Sequence, residues 1–297
     1  MAEQHHGLAI RAADRTIRLK WHRLRRSLAD PLFSSPILRR GAELGASMEL
    51  DFRIRRDHGF VALHDETLAR ETTGSGLVSL ATADDLRHIR VLPGNHPPML
   101  SEDIAEMLAG AHPQALLQLD MKDNLDAIGP RGIDHLRYHF ADATASLIIS
   151  ARDLDLIVAV KKSLPDLRRG IDPTSPLLRI LKDEGAAAAE AMLHQDILGP
   201  SEPDTIYLSW ELLLAAADQG LDLISVAHDL GRAVGAWTFN LADPQNGFDA
   251  AEAKDFSRLV SLQPDQITTD EPDATERAWT KLCGGAETQS KIGSGMT

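Results

Sequence analysis

Cysteine is nearly missing: Cys283 stands alone in 297 residues. That excludes a disulfide framework and any cysteine-rich metal site, and it suits a reducing compartment. Positive charge is also in short supply, with 31 Lys and Arg against 44 Asp and Glu for a net charge of −13. That balance argues against a general nucleic-acid binder, and a phosphate-bearing substrate then needs a local basic pocket or a cation. Long apolar runs are absent as well. Met1 to Arg26 contains no apolar signal-peptide core, and no stretch approaches the roughly 18 uninterrupted apolar residues of a membrane span. The expectation is a soluble, cytoplasmic protein with no stable membrane anchoring, no nucleic-acid partner and room for a homo-oligomer. No internal repeat and no Pro/Gly/Ser-rich linker divides the middle of the chain.

What is present has ordinary globular proportions, 43% hydrophobic and 25% charged. The length admits two domains, or one α/β barrel of roughly 250 residues. Residues 1–13 read as a loose arm, 14–283 as a single domain and 284–297 as a flexible tail. Seven Lys and Arg between Arg11 and Arg26 read as a solvated, partly strand-forming entry segment. Short β-rich runs are expected at Thr16–Trp21, Ser47–Ile54, Ala115–Met121, Ala145–Ser150, Arg168–Ile171, Thr205–Ser209, Ala233–Phe239 and Gln266–Thr269. Helical patterns separate most of them: Asp84–His88, Ser101–Leu108, Asp153–Ser163, Pro176–Leu198, Glu211–Gln219, Asp222–Gly231 and Ala250–Leu262. Strands joined by helical crossovers predict the α/β class and a (β/α)₈ TIM barrel, with an open doubly wound sheet as competitor. In a barrel the reactive groups belong at the C-terminal ends of the strands.

Three segments carry candidate chemistry. In Met48-Glu49-Leu50-Asp51-Phe52 the two carboxylates lie two apart, so a strand presents Glu49 and Asp51 on one face. Adjacent carboxylates repel unless a cation or basic groups compensate, and Mg²⁺, Mn²⁺ and Ca²⁺ take such oxygen ligands. The other reading is a solvent-facing acidic pair on an edge strand. Phe60-Val61-Ala62-Leu63-His64-Asp65 is a second apolar run, reached through a turn, so it is expected to fold back and bring His64 toward the acidic pair. His22 ends the first strand. Two histidines flanking a metal suit general acid–base work near neutral pH, although a histidine at a strand end is commonly a structural hydrogen-bonder. In Leu117-Gln118-Leu119-Asp120-Met121-Lys122, Asp120 and Lys122 share a face: a third oxygen ligand with a phosphate-binding ammonium, or an ordinary ion pair.

Taken together, these segments resemble the glycerophosphodiester phosphodiesterases. The resemblance rests on His22-Arg23, Glu49-Leu50-Asp51, His64-Asp65, Pro98-Met99-Leu100-Ser101-Glu102, Asp120-Met121-Lys122, Trp237-Thr238-Phe239-Asn240 and Thr269-Asp270-Glu271-Pro272, in the family's order across residues 16–273. It implies a barrel hydrolase acting on a small-molecule phosphodiester with one divalent cation, Mg²⁺, Mn²⁺ or Ca²⁺. By analogy Glu49, Asp51 and Asp120 are its ligands, and His22 and His64 are the acid–base pair. Arg23 and Lys122 neutralise the phosphate, and Trp237 lines the pocket.

The sequence departs from the family pattern at four places. Leu24 replaces the glycine of His-Arg-Gly, and a Pro-Glu-Asn-Thr segment is replaced by Asp30-Pro31-Leu32-Phe33-Ser34-Ser35-Pro36. The third ligand position holds aspartate rather than glutamate, and Arg-Thr-Thr is interrupted as Arg70-Glu71-Thr72-Thr73. The retained histidines and carboxylates imply surviving chemistry with an altered rim, and a sugar phosphodiester of the agrocinopine type is one candidate substrate. Two alternatives stand beside hydrolysis: a lyase like the sphingomyelinase D toxins on the same barrel, and an inactive barrel that only binds phosphorylated ligands. His135 and His139, four apart, are read as a solvated helix face, because no third ligand is near them in sequence.

Overall fold

Alternation along each strand sorts its side chains into two sets, and that sorting builds the molecule. The computed structural model describes residues 5–12 and 15–293, with 285–293 as backbone. Parts of the expected arm and tail, residues 1–4, 13 and 294–297, lie outside the described residues, as does residue 14 at the start of the expected domain. The strands are β1 (Ala9–Ala12), β2 (Arg15–Trp21), β3 (Ser47–Ile54), β4 (Phe60–Ala62), β5 (Leu116–Met121), β6 (Leu147–Ala151), β7 (Arg168–Ile171), β8 (Thr205–Ser209), β9 (Ala233–Trp237) and β10 (Gln266–Thr269). β2, β3 and β5 to β10 pair in parallel in one ring, which β10 closes onto β2. This is the expected eight-stranded barrel, with helices between its strands. An open sheet is ruled out by the β2–β3 pairing, which leaves no free edge in the ring.

Outward-facing residues make the apolar core. Ile17, Leu19 and Trp21 of β2, Met48, Leu50 and Phe52 of β3, and Leu117, Leu119 and Met121 of β5 are all buried, in one cluster with the helices. The barrel interior is instead mostly polar. Lys20 donates to Gln118, Gln118 Nε2 donates to Ser150 Oγ (2.8 Å), and Ser150 donates to Asp120 Oδ1 (2.6 Å). Buried polar atoms are tolerated when they are partnered, and this chain partners them in sequence up the barrel axis. Beside it the Tyr207 ring lies where two neighbouring strands carry glycine. A Cβ on Gly170 would sit 2.4 Å from Tyr207 Cε2, and one on Gly235 2.7 Å from Cδ1.

Several expectations change. Part of the arm is the strand β1, antiparallel to β2 with Ile10 buried, and Trp21 Nε1 donates to Gly7 O (2.7 Å). An indole N–H and an apolar side chain both need that segment in order to be buried. The basic entry segment is not wholly solvated, since Lys20 is 1% exposed inside the barrel. Pro176–Leu198 is two helices, Thr174–Asp183 and Ala186–Leu198, separated by Gly185 at φ 89°. A further helix, Leu125–Phe140, carries Gly129 at φ 62° followed by Pro130, which breaks its periodicity in the sequence. The last helix runs from Pro272 to Gly293, so its backbone continues through much of the expected tail.

Candidate active site

β2 ends in a tight turn, His22–Leu24, in which Arg23 and Leu24 both take left-handed backbone, φ 50° and 56°. Such a turn lifts His22 to the mouth of the barrel and aims the Arg23 N–H at Glu49 Oε2 (2.9 Å). Leu24 occupies the position where the family pattern has glycine. Its strained conformation is offset by complete burial of its side chain.

Each histidine is tied to a carboxylate by the same nitrogen. His22 Nδ1 lies 2.9 Å from Asp270 Oδ1, and His64 Nδ1 lies 2.8 Å from Asp65 Oδ1. An ionised carboxylate only accepts, so Nδ1 carries the proton and Nε2 is left with a lone pair. Asp270 also accepts from Arg25 Nη2 (2.7 Å) and Asn240 Nδ2 (2.7 Å). Burial opposes its ionisation, but His22 and Arg25 hold it below the usual carboxylate range. Asp65 is held low first by its bond to His64 and then by Arg70. β4 pairs with β3, Phe52 opposite Ala62, so the second apolar run does fold back and carries His64 to the mouth. Glu71 anchors the turn. Its buried Oε2 accepts from His64 N (2.9 Å) and Asp65 N (2.8 Å).

Carboxylate oxygens of Glu49, Asp51 and Asp120 lie within 4.8 Å of one another. In-register pairing of Glu49 with Gln118 and Asp51 with Asp120 across β3 and β5 places them there. Lys122 Nζ contacts Asp51 Oδ1 at 2.7 Å and pairs with Asp120 as well. Arg23 Nε lies 3.0 Å from Asp51 Oδ2, yet without hydrogen-bond alignment: both atoms are buried and lack a hydrogen-bond partner. Burial, and then the neighbouring Asp51, push the Glu49 carboxyl above its ordinary range. Burial works the same way on Asp51, but Lys122 and Arg23 outweigh it and hold that group ionised. Three carboxylates converge here, and one buried oxygen, Asp51 Oδ2, has no hydrogen-bond partner. An all-oxygen donor set of that kind fits a hard divalent cation.

One cavity joins these groups. His22, Arg23, Glu49, Asp51, His64, Asp120, Lys122 and Trp237 all line it, so the residues expected to act as acid–base pair, metal ligands and substrate contacts are brought together. Arg152 and Asp172, 3.5 Å apart and absent from the sequence reading, also line it. Sequence reasoning assigned no role to Asp65, Glu71 or Asp270. Asp65 and Asp270 stood inside quoted motifs, which was the available signal; Glu71 was visible only as an interruption. Glu102, also within a quoted motif, is not in this cavity and binds Arg55 instead.

A closed parallel barrel with acidic and histidine side chains gathered at the C-terminal ends of its strands has the layout of an enzyme. The chain belongs to the glycerophosphoryl diester phosphodiesterase family, whose sequence model matches residues 34–274, and is a phosphoric diester hydrolase. No curated protein matches the sequence. Solved structures do. A glycerophosphoryl diester phosphodiesterase from Parabacteroides distasonis superposes with a TM-score of 0.63 at 20% identity, covering 92% of this chain and 90% of that one. An Oleispira antarctica phosphodiesterase in complex with the product sn-glycerol-3-phosphate gives 0.63 at 16%, covering 88% and 95%. A glycerophosphodiester phosphodiesterase from Thermotoga maritima gives 0.58 at 19%, covering 86% and 96%. At these identities the likeness carries the fold. Among the described residues no helix is long and apolar enough to cross a membrane.

Proposed function

We propose that the chain hydrolyses a glycerophosphodiester or a sugar phosphodiester to a phosphomonoester and an alcohol. The carrying observation is the pair of Nδ1-anchored histidines opening onto one cavity with three converging carboxylates. Glu49, Asp51 and Asp120 hold one divalent cation, Mg²⁺, Mn²⁺ or Ca²⁺. When bound, that cation supplies positive charge against the phosphoryl oxygens. Arg23 and Lys122 present two further cations to the same dianionic transition state. Asp270 and Asp65 keep the proton on Nδ1 of each histidine, so each Nε2 takes or returns a proton at the reacting oxygens. One histidine deprotonates the nucleophile, either water or a neighbouring substrate hydroxyl whose cyclic phosphate water then opens, and the other, once protonated, gives its proton to the leaving alkoxide. Trp237 walls the cavity. The bound Oleispira antarctica product supports a glycerol-type alcohol, and the altered residues after His22 support a sugar.

³¹P NMR of the purified chain with glycerophosphocholine, glycerophosphoethanolamine, a sugar phosphodiester and a lysophospholipid tests the reading. Each is incubated with Mg²⁺, Mn²⁺, Ca²⁺ or EDTA. A phosphomonoester signal is expected with a cation, lost in EDTA and reduced at least about 100-fold by His22→Ala. A cyclic phosphate that persists would replace hydrolysis by lyase chemistry, and turnover undiminished in His22→Ala would overturn the proposed roles.

A further inference from the structure

The helix Leu125–Phe140 carries His135 and His139 one turn apart, and it packs beside the helix Ser101–Met107, whose second residue is Glu102. Sequence separation hides this third group; the fold supplies it. Donor atoms of Glu102, His135 and His139 lie within 4.8 Å of one another. His135 Nε2 is 4.0 Å from Glu102 Oε1, and the two imidazole rings are 4.3 Å apart between centroids. Glu102 and His139 also line a single surface cavity, open to solvent and separate from the one described above.

We infer that Glu102, His135 and His139 form a second cation site, for one transition ion of the Zn²⁺ type. Two imidazoles at i and i+4 on a helix face chelate such an ion, and a carboxylate from a neighbouring element completes three ligands with one open position. A tetrahedral ion with ligands about 2 Å away sets its donors about 3.3 Å apart, so closure needs a contraction of at most ~1.5 Å. His139, half-buried at the cavity wall, is the side chain placed to make it.

The surrounding groups suit the task. Arg55 grips Glu102 with two nitrogens (2.7 and 3.1 Å). Glu102 Oε1 keeps a lone pair beyond that fork, and a ligand carboxylate that is itself hydrogen-bonded is the normal outer-shell arrangement. His135 Nε2 meets Ser101 Oγ at 2.7 Å, a contact the ion would displace. Ser101 Oγ would not be stranded, since it also contacts Phe60 O (3.3 Å) and Glu102 Oε2 (3.0 Å). Mixed nitrogen and oxygen donors prefer a borderline transition ion, whereas the Glu49–Asp51–Asp120 set is all oxygen and prefers a hard one.

The probe is Zn²⁺ alone, titrated calorimetrically into the full chain in excess Mg²⁺, with wild type beside His139→Ala. Wild type is expected to take up Zn²⁺ with a micromolar or tighter Kd and to gain thermal stability. His139→Ala is expected to bind at least tenfold more weakly and to lose that gain. Equal affinity in the two proteins, or no uptake by wild type, would overturn the site. Anomalous scattering at the zinc edge from wild-type crystals grown with Zn²⁺ gives a second reading that needs no variant. A peak between Glu102, His135 and His139 supports the inference, and a peak confined to Glu49, Asp51 and Asp120 refutes it.

Discussion

Leu24 shows how one side chain decides a local conformation that its residue type disfavours. At φ 56° a non-glycine residue is strained by about 1–2 kcal/mol, yet the side chain is fully buried. Restoring glycine would relieve the strain and leave a leucine-sized void, which costs about 2–5 kcal/mol for comparable truncations. Leu24→Gly is therefore expected to lose up to about 4 kcal/mol, read from urea unfolding midpoints, and to loosen the turn that presents His22 and Arg23. A gain in stability would mean that the backbone strain outweighs the packing. The sequence marked this position as a departure from a family pattern but gave no sign of the compensation, because burial is a property of the assembled neighbours.

At the scale of elements, two strands and a turn place the reacting groups. β3 and β5 bring Glu49, Asp51 and Asp120 into register, and β4 with its following turn brings His64. Glu71 holds that turn through two backbone N–H groups. Removing its carboxylate leaves two donors without their partner, at about 1–3 kcal/mol for each group that stays unsatisfied. Glu71→Ala should lower kcat at least about tenfold with a smaller change in KM, since a misplaced acid–base group weakens the transition state more than the ground state. Equal kcat in the variant would show that Asp65 alone orients His64. The carboxylate pair and both histidines were legible in the chain because strand alternation has a period of two and motifs are local. Glu71 and Asp270 were not legible in these roles, because each acts on a residue brought to it by folding: Asp270 meets His22 from the opposite end of the chain.

Across the whole molecule, charge is separated along the barrel axis, with Lys20 buried below and the acidic trio above. Burial lowers the Lys20 ammonium from its ordinary 10.5. The unfolded chain therefore keeps a proton that the folded chain releases, and stability rises with pH while that difference lasts. Between neutrality and about pH 10 this contributes a slope of at most about 1.4 kcal/mol per pH unit. Denaturant unfolding across that range is expected to show the rise in wild type and a flatter profile in Lys20→Met. Identical profiles would place the proton release elsewhere.

By itself, the sequence determined the barrel strands, to within a residue or two at most ends, and the identity of the groups around the cavity. Both follow from local rules: a strand shows its alternation, and a motif keeps its spacing wherever it is placed. Tertiary structure alone decided the break at Gly185, the helix across Gly129-Pro130, the burial of Lys20, the anchors of the two histidines and the approach of Glu102 to His135 and His139. Periodicity says which face of an element is apolar. Which polar partners meet inside, and at what distance, is set only when the ring of strands closes and the helices settle around it.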